Sequence, residues 1–327
     1  MTKNLYRIAI LIAFTGMVYA CSKSSSGSST PAGQTPTDLQ VQSDDQTRVN
    51  NETDDVANDV NVTLASPGAN GSAGASYRGQ VQTSGYTPVN IASLICDANV
   101  TLDTVDNPRT ITLTYNGTNC SGNRTRTGTV VVSWPAGEHW RDAGAVVTVN
   151  IQNLKIVRLS DNKAITLNGT HIYTNVSGGS LIDLPNLTSI THTITGDSMT
   201  ITFDDGSQRL WNFDRQRVYT YSGGVAVSTT GLHSDGTNTG IAAWGTNRYG
   251  VSFETLITQP MTIMQSCDFR LTSGALEILR SDNFTTTVTY GLDTTGTPTS
   301  CPGTGNYYFK ATWEGPGGKT GSVILPY

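Results

Sequence analysis

The sequence predicts an all-β protein built from antiparallel, sandwich-like or barrel-like sheets. One observation is compositional: hydrophobic residues make up 36% of the 327 residues and charged residues only 14%. Thr, Gly, Asn and Ser are abundant, which favours strands joined by many turns over a helical bundle. The second observation is periodic: from about residue 89 onward, alternating segments recur with a turn signal roughly every 8–12 residues.

The individual strands can be placed by their alternation. Residues 110–115, 129–134 and 146–151 each alternate apolar and polar side chains, as half-buried strands do. Residues 199–213 predict the clearest hairpin, because two apolar alternating runs flank an Asp204-Asp205-Gly206 turn. We therefore assign 89–327 to one β-domain.

The amino-terminal segment has the order of an export signal. Lys3 and Arg7 precede an apolar run over Ile8–Val18, which is too short for a permanent membrane span. Val18-Tyr19-Ala20-Cys21 follows and resembles the lipobox of bacterial lipoproteins. We expect 1–20 to be a signal peptide and Cys21 to carry acyl chains such as palmitate, which would hold the protein on a membrane.

Between the anchor and the β-domain, the sequence predicts a tether, a helix and a linker. Residues 21–42 are rich in Ser and Gly and are expected to be a flexible tether. A three-four spacing of Val and Thr predicts one short amphipathic helix over 43–64, capped by Ser43, with its acids on a solvated face. Residues 65–88 are Gly/Ala/Ser-rich at their start and are interpreted as a second linker.

With Cys21 assigned to lipid, Cys96, Cys120, Cys267 and Cys301 remain. An even number of cysteines in an exported chain indicates two disulfides, for which three pairings are possible. We favour Cys96–Cys120 and Cys267–Cys301, because each pair brackets a strand-turn-strand segment. The rival interpretation, a metal site, is disfavoured because no CxxC is present and no His lies near a Cys.

These two cysteine-bracketed segments also suggest an internal repeat. Units starting near 96 and 267 share the order Cys-Asp, Thr-rich strand, Tyr, Cys-x-Gly, strand and Trp, and they reach Trp134 and Trp313 respectively. The alternative is chance likeness between Thr-rich β-segments. The shared position of the two tryptophans predicts a core role for both.

The sequence carries no recognised catalytic motif. It has no G-x-S-x-G, H-E-x-x-H, P-loop or dinucleotide-binding pattern, so no cofactor is expected. The four histidines lack metal-ligand spacing, and no metal is expected; His171 and His192 are interpreted as hydrogen-bonded strand residues. A net charge of -5 without a basic stripe makes nucleic acid an improbable partner.

Two sets of residues are candidates for a site. The first is a possible aromatic platform for sugar around the turn after Trp134, and its members are Glu138, His139 and Trp140, with Tyr307 and Tyr308 behind them. Trp140 is the member expected to be exposed. The second is a possible pair of glycosidase carboxylates, drawn from Glu138, Asp142, Asp204, Asp205 and Glu254.

Several strings together resemble an uncharacterised lipoprotein family of Bacteroidota. These strings are residues 107–112, 119–128, 134–137, 204–209, 244–248 and 301–305. The resemblance implies an all-β fold and an envelope location, on the outer membrane, and it supplies no activity and no catalytic residues. Whether the protein faces the periplasm or the cell surface is left open, because the acids that direct surface export in such lipoproteins do not follow Cys21.

The expected function is therefore a non-catalytic binding or structural component of the cell envelope, recognising glycan or a protein partner. The first alternative is a polysaccharide hydrolase that uses paired carboxylates. The second is an accessory subunit of an outer-membrane complex, in which the helix would be the docking element.

Overall fold

The computed structural model describes residues 36–65, 95–267, 269–299 and 307–327. The expected signal peptide, Cys21 and nearly all of the 65–88 linker lie outside these residues. The described chain consists of one long helix, α1 (Pro36–Leu64), followed by an antiparallel sheet. The prediction of an all-β fold preceded by one helix is confirmed.

All the strands found in the described residues belong to one sheet, in which most strands pair with their neighbours in the chain. They are β1 (Ala98–Asp103), β2 (Arg109–Thr118), β3 (Arg124–Trp134), β4 (Ala145–Arg158), β5 (Ala164–Asn175), β6 (Ile190–Phe203), β7 (Gln208–Tyr221), β8 (Val225–Gly231), β9 (His233–Ser234), β10 (Thr239–Thr246), β11 (Ser252–Met264), β12 (Arg270–Arg280), β13 (Thr285–Leu292), β14 (Tyr308–Gly315) and β15 (Lys319–Pro326). The hairpin expected over 199–213 is confirmed as the turn between β6 and β7.

The pairing of consecutive strands is interrupted at one place in the sheet, between β7 and β11. Residues 215–221 of β7 pair with β8, and residues 210–213 pair with β10. On the other side, β11 pairs with the same two strands. Thus β8 and β10 together occupy one position in the sheet, and the chain between them makes an excursion that contains β9.

The sheet curls around α1, so the helix lies in the protein core. Polar groups from β2, β3, β4, β7, β11, β12 and β13 all reach it. From residue 38 to residue 65 every side chain is buried or half-buried. The expected solvated face and the docking role of the helix are therefore wrong.

The helix also begins earlier than expected. It starts at Pro36, so residues 36–42, expected to be tether, are helical. Proline is well tolerated in the first turn, where its missing N–H leaves no helical bond unmade. Ser43 lies inside the helix and is not its cap, because its hydroxyl donates to the carbonyl of Leu39 at 2.9 Å.

Apolar contacts supply part of the stability of α1. The expected three-four stripe is confirmed by its burial, and its valines Val49, Val56 and Val60 are 0% exposed. Leu64, at the end of the helix, is 1% exposed. These residues pack into the same cluster as the inward-facing residues of the strands. Asn, Asp and Thr are weak helix formers, so tertiary packing rather than propensity maintains this helix.

The sheet bends around the helix at β-bulges. Between β3 and β4 the register shifts next to Gly128, which has φ +132°. A Cβ atom on Gly128 would lie 2.5 Å from the carbonyl oxygen of Asn153. The close approach of the two backbones thus requires glycine, and the bulge increases the local bend and twist of the strands.

A ladder of polar contacts joins α1 to β7. Gln46 accepts from Arg209 at 2.6 Å, and Asn50 accepts from Arg215 at 2.8 Å. Farther along both elements, Asp54 pairs with Arg217 and Asn61 donates to Tyr219 at 2.9 Å. The contacts follow the same order on helix and strand, so they define how far the helix is inserted.

Other arginines pair with the remaining sides of the helix. These pairs are Arg158–Asp44, Arg248–Asp45, Arg124–Glu52, Arg124–Asp55 and Arg126–Asp59, with N–O distances of 2.6–3.0 Å. The acids assigned to a solvated face are thus neutralised by strand and loop arginines. In a low-dielectric interior, such pairing is needed to offset the cost of removing charges from water.

The disulfide prediction is confirmed for Cys96–Cys120, with an S–S distance of 2.05 Å. Beside it, Asp97 accepts from Arg126 at 2.6 and 2.7 Å, which attaches the start of β1 to the core. Cys267 is also disulfide-bonded, but its expected partner Cys301 lies outside the described residues.

The proposed repeat corresponds to β1–β3 and β12–β14. Both triplets are antiparallel meanders, and both end near a buried tryptophan, so the expected core role of Trp134 and Trp313 is confirmed. Any three neighbouring strands of this sheet share that order, so duplication stays a prediction.

The Asp54–Arg217 pair gives a direct test of the buried ladder. We expect Asp54→Ala to lower the free energy of unfolding by about 3–5 kcal/mol, because Arg217, 2% exposed, would be left as an unpaired buried charge. The double variant Asp54→Leu/Arg217→Met should recover most of that loss. Urea titration provides the measurement.

Asp183→Ala serves as the matched control, since its pair with Arg141 at 3.5 Å is largely exposed and should contribute at most about 1 kcal/mol. Equal, small effects of Asp54→Ala and Asp183→Ala would contradict a stabilising role for the ladder.

Candidate functional site

The structure does not assemble the expected aromatic platform. Trp140 is 4% exposed, and its ring packs edge-on against His192 with centroids 4.9 Å apart. Its carbonyl accepts from the side-chain amide of Asn175 at 2.7 Å. Trp140 is thus part of the core, and the prediction that it is exposed is wrong. The reason is that the end of β5 and the loop after it form hydrogen bonds with the segment around Trp140.

The other members of that set do not form an exposed aromatic surface with Trp140. Glu138 is exposed and His139 half-buried. Tyr307 is 3% exposed and its ring faces Tyr327, whereas Tyr308 is half-buried. Among the described residues, no ring contact joins either tyrosine to Trp140, so no sugar platform forms here.

Most of the carboxylates expected as a hydrolase pair lie on two exposed turns, between β3 and β4 and between β6 and β7. These are Glu138, Asp142, Asp204 and Asp205. Hydrogen bonds from the hydroxyl and N–H of Ser207 lower the pKa of Asp205, as expected for a turn residue. Glu254 is different, because it is half-buried on β11 directly opposite Trp244 of β10.

A pocket of about 350 Å³ lies on the outer face of the sheet beside Trp244. It is formed by residues of β5, β6, β7 and β10. Its lining residues are Thr170, Ile172, Thr195, Gly196, Asp197, Phe213, Asp214 and Trp244. The pocket combines an indole, two carboxylates and two hydroxyls, and none of its lining residues is basic.

A bulge in β6 creates one wall of the pocket. The register with β7 shifts between Gly196 and Met199. Ser198 adopts a φ of 55° in this bulge, and its N–H donates to the side-chain oxygen of Asn212 at 2.7 Å. Asp197 is thereby placed on the exposed outer face next to the pocket.

Gly196 opens the floor of the pocket. A Cβ atom there would lie 2.1 Å from the ring of Phe213, so the missing side chain lets that ring pack against the strand backbone. Phe213 belongs to the core and yet lines the pocket. The apolar floor of the site is therefore part of the packed core.

The excursion between β8 and β10 supports the aromatic wall. The N–H of Leu232 donates to the carbonyl of Asp214 at 3.1 Å, which ties the excursion to β7. His233 follows, and its ring stacks on Trp244 with centroids 4.0 Å apart at 19°. This stacking fixes the orientation of the indole of Trp244, and another part of the same indole lines the pocket.

The two carboxylates of the pocket lie on neighbouring strands. Asp214 is directly opposite Thr195, and Asp197 is two residues farther along β6. Asp197 lies within the bulge of β6, and both carboxylates line the same pocket. Burial raises the pKa of Asp214, an effect that the charge of His233 opposes. The pocket is thus a small acidic and aromatic site.

The interior charges are a second cluster of perturbed groups. Burial raises the pKa of Asp45 and of Asp59 to about 6, against the lowering effect of their arginine partners. Burial also lowers the pKa of Arg209 to about 9. Because these groups are enclosed between helix and sheet, we assign them to the structure of the core and not to chemistry on a substrate.

Two observations bear on metals and membranes. No cluster of His, Cys, Asp and Glu with the arrangement of a metal site occurs within the described ranges. In the same ranges, no helix has an apolar stretch long enough to cross a membrane.

Comparison of the chain with protein-family models, with curated proteins and with solved structures finds no match. The function is accordingly argued from the geometry of the outer pocket. Neither Trp244 nor Asp214 was predicted from the sequence to be a site residue, although Trp244 begins the 244–248 string of the family resemblance. Their role in a pocket is recognisable only when the strands are placed side by side.

His192 offers a test of the buried end of the core. It lies on the inner face of β6 beside Trp140 and Tyr219, and neither ring nitrogen has a hydrogen-bond partner in the described structure, contrary to the expected hydrogen-bonded strand histidine. Burial, and secondarily the charge of Arg217, lowers its pKa from 6.5 to about 3.

In the unfolded chain His192 binds a proton near pH 6.5, whereas in the folded chain it does so only near pH 3. The contribution of neutral His192 to the free energy of unfolding is therefore fully present above pH 6.5 and is lost as pH falls toward 3. We expect His192→Phe to remove about 1.4 kcal/mol per pH unit from the slope of unfolding free energy below pH 6.5. Urea titrations at several pH values measure this slope for the unmodified chain and for His192→Phe. Parallel slopes for the two would contradict the lowered pKa of His192.

Proposed function

We propose that this protein is a lipid-anchored envelope protein that binds carbohydrate in the outer pocket beside Trp244. The observation that carries the proposal is the pairing of a fixed indole with two carboxylates in one concave site. The anchoring part rests on the signal-like segment and Cys21, together with the resemblance to Bacteroidota lipoproteins.

The chemistry of the pocket suits a sugar ring. A pyranose has an apolar C–H face that can lie on an aromatic surface, and Trp244 supplies one. Its hydroxyls are donors, and Asp197 and Asp214 are charged acceptors at the same site. Thr170 and Thr195 add groups that can both donate and accept.

The size and charge of the pocket limit the classes of ligand that it can bind. A volume of about 350 Å³ is at the small end of the ~300–1,000 Å³ found for ligand pockets, so the site accommodates a short part of a glycan. Since the lining contains two acids and no base, acidic sugars would be repelled. We therefore propose neutral or amino sugars as the ligand class.

A second function, hydrolysis of polysaccharide, is favoured by one observation. Asp197 and Asp214 line the same pocket, and burial raises the pKa of Asp214 as it would for a general acid. The two carboxylates lie on the neighbouring strands β6 and β7, as a pair of catalytic carboxylates flanking a scissile bond would require. Hydrolysis would replace binding as the function only if turnover occurs.

The experiment is a glycan array with the chain from Ser22 onward, which retains α1; a fragment starting near residue 89 would lack the helix that fills the core. We expect binding to neutral or amino oligosaccharides. Trp244→Ala should weaken binding of the best array ligand at least about tenfold in calorimetric titration, because the stacking surface is removed.

Tyr221→Ala provides the control, because Tyr221 is an exposed aromatic on β7 that does not line the pocket. It should bind like the unmodified chain. Release of reducing ends from the bound ligand, abolished by Asp214→Asn, would establish the hydrolase instead. No binding across the array, or equal binding by Trp244→Ala, would refute the sugar site.

A further inference from the structure

The two carboxylates of the outer pocket differ from the acids inside the sheet. Asp45, Asp54 and Asp59 of α1 each pair with an arginine. In the described part of the chain, by contrast, no Lys or Arg forms an ion pair with Asp197 or Asp214. The charges of both pocket carboxylates are therefore available to a ligand.

The pocket concentrates these two charges in one concave site. Asp214 is half-buried and Asp197 exposed, and both line the same volume of about 350 Å³. Like charges that share a concave site repel each other and attract cations, and they are screened less well than charges on an open surface. A cationic group of a ligand would relieve that repulsion.

A third carboxylate lies beside the indole. Glu254 of β11 is directly opposite Trp244 of β10, so the two side chains project from the same outer face of the sheet. Glu254 accepts from the side-chain amide of Asn238 at 3.2 Å, and this neutral donor leaves the negative charge in place. Both β7 and β11, the strands on either side of Trp244, thus carry an outward carboxylate.

The indole itself discriminates between a cation and a neutral group. A cation within about 6 Å of the centre of an indole ring is attracted by the negative face of that ring, whereas a hydroxyl group gains no comparable attraction. None of the residues that line the pocket is a base that would compete for the acids. The carboxylates and Trp244 therefore favour the same kind of group, a protonated amine.

We propose that the pocket beside Trp244 binds the protonated amine of an amino sugar, held by Asp197 and Asp214 next to the indole. This inference rests on the proposed carbohydrate function and deepens it, since it restricts the ligand from neutral or amino sugars to sugars with a free amine. An N-acetylated amine has no charge, so acetylation removes the group that the pocket recognises.

The test compares three linear trisaccharides with the same linkage, built from glucosamine, N-acetylglucosamine and glucose. They differ at one position of each ring, which carries an ammonium, an acetamide or a hydroxyl group. In calorimetric titration of the chain from Ser22 onward, at about pH 7, where an aliphatic amine is largely protonated, we expect the glucosamine trisaccharide to bind at least about tenfold more tightly than the other two. Added sodium chloride should reduce that preference.

Variants of the pocket separate this site from a general attraction of cations to a protein of net charge -5. Asp197→Asn/Asp214→Asn should abolish the preference for the amine, and Trp244→Ala should weaken binding of the glucosamine trisaccharide at least about tenfold. The single variant Asp197→Asn, at an exposed position, should keep the unfolding midpoint and lower the preference several-fold. Asp142→Asn is the matched control, because it removes an exposed carboxylate outside the pocket, and it should keep the full preference.

Equal binding of the three trisaccharides, or tighter binding of an uncharged one, would overturn the amine site and leave the carbohydrate proposal in place. A preference for the amine that persists in Asp197→Asn/Asp214→Asn would also overturn it. So would failure of all three to bind, and the glycan array would then show whether the carbohydrate proposal fails as well.

Discussion

The fold depends on neutralising the charges of a polar helix that lies inside a β-sheet. Helix α1 carries Asp and Glu on several sides, and water is excluded from nearly all of it. An uncompensated carboxylate there would cost several kcal/mol. Arginines of the strands and of one loop lie against the helix, and they pair with its acids Asp44, Asp45, Asp54 and Asp59. Helix position, strand register and sheet curvature must agree for these pairs to form.

The position of α1 inside the sheet affects where a ligand pocket can form. Side chains of α1 contact the strands on many sides and occupy the interior of the sheet. The concave site arises instead on the outer face, where β8 and β10 share one position and the excursion between them places His233 on Trp244. An interruption of the sheet thus creates the pocket.

Sequence periodicity was sufficient for the local elements. The alternation at 199–213 predicted the β6–β7 hairpin, and strand-turn-strand reasoning predicted the Cys96–Cys120 disulfide. Both features depend on residues close in the chain. The burial of the helical valines was also predictable, because their spacing follows the helical period.

The position of the helix was not predictable in the same way, since its partners are distant in the chain. Asp54 and Arg217 are 163 residues apart, and an acidic helix without its arginines resembles a solvated one. One signal was present: Arg215 and Arg217 share the strand face of Trp211 and Phe213, and cations on an apolar face indicate buried acids. The Trp244 pocket had no such signal, because it requires four strands placed side by side.

The central claim, that α1 is the core of the fold, is tested most directly by native-state hydrogen exchange along the helix. If the helix is enclosed as described, amides of residues 47–60 should exchange only through global unfolding, with the same free energy as the central amides of β7. Exchange of the helix at a much lower free energy, while the strands stay protected, would contradict the account. It would show that the sheet is stable without the helix.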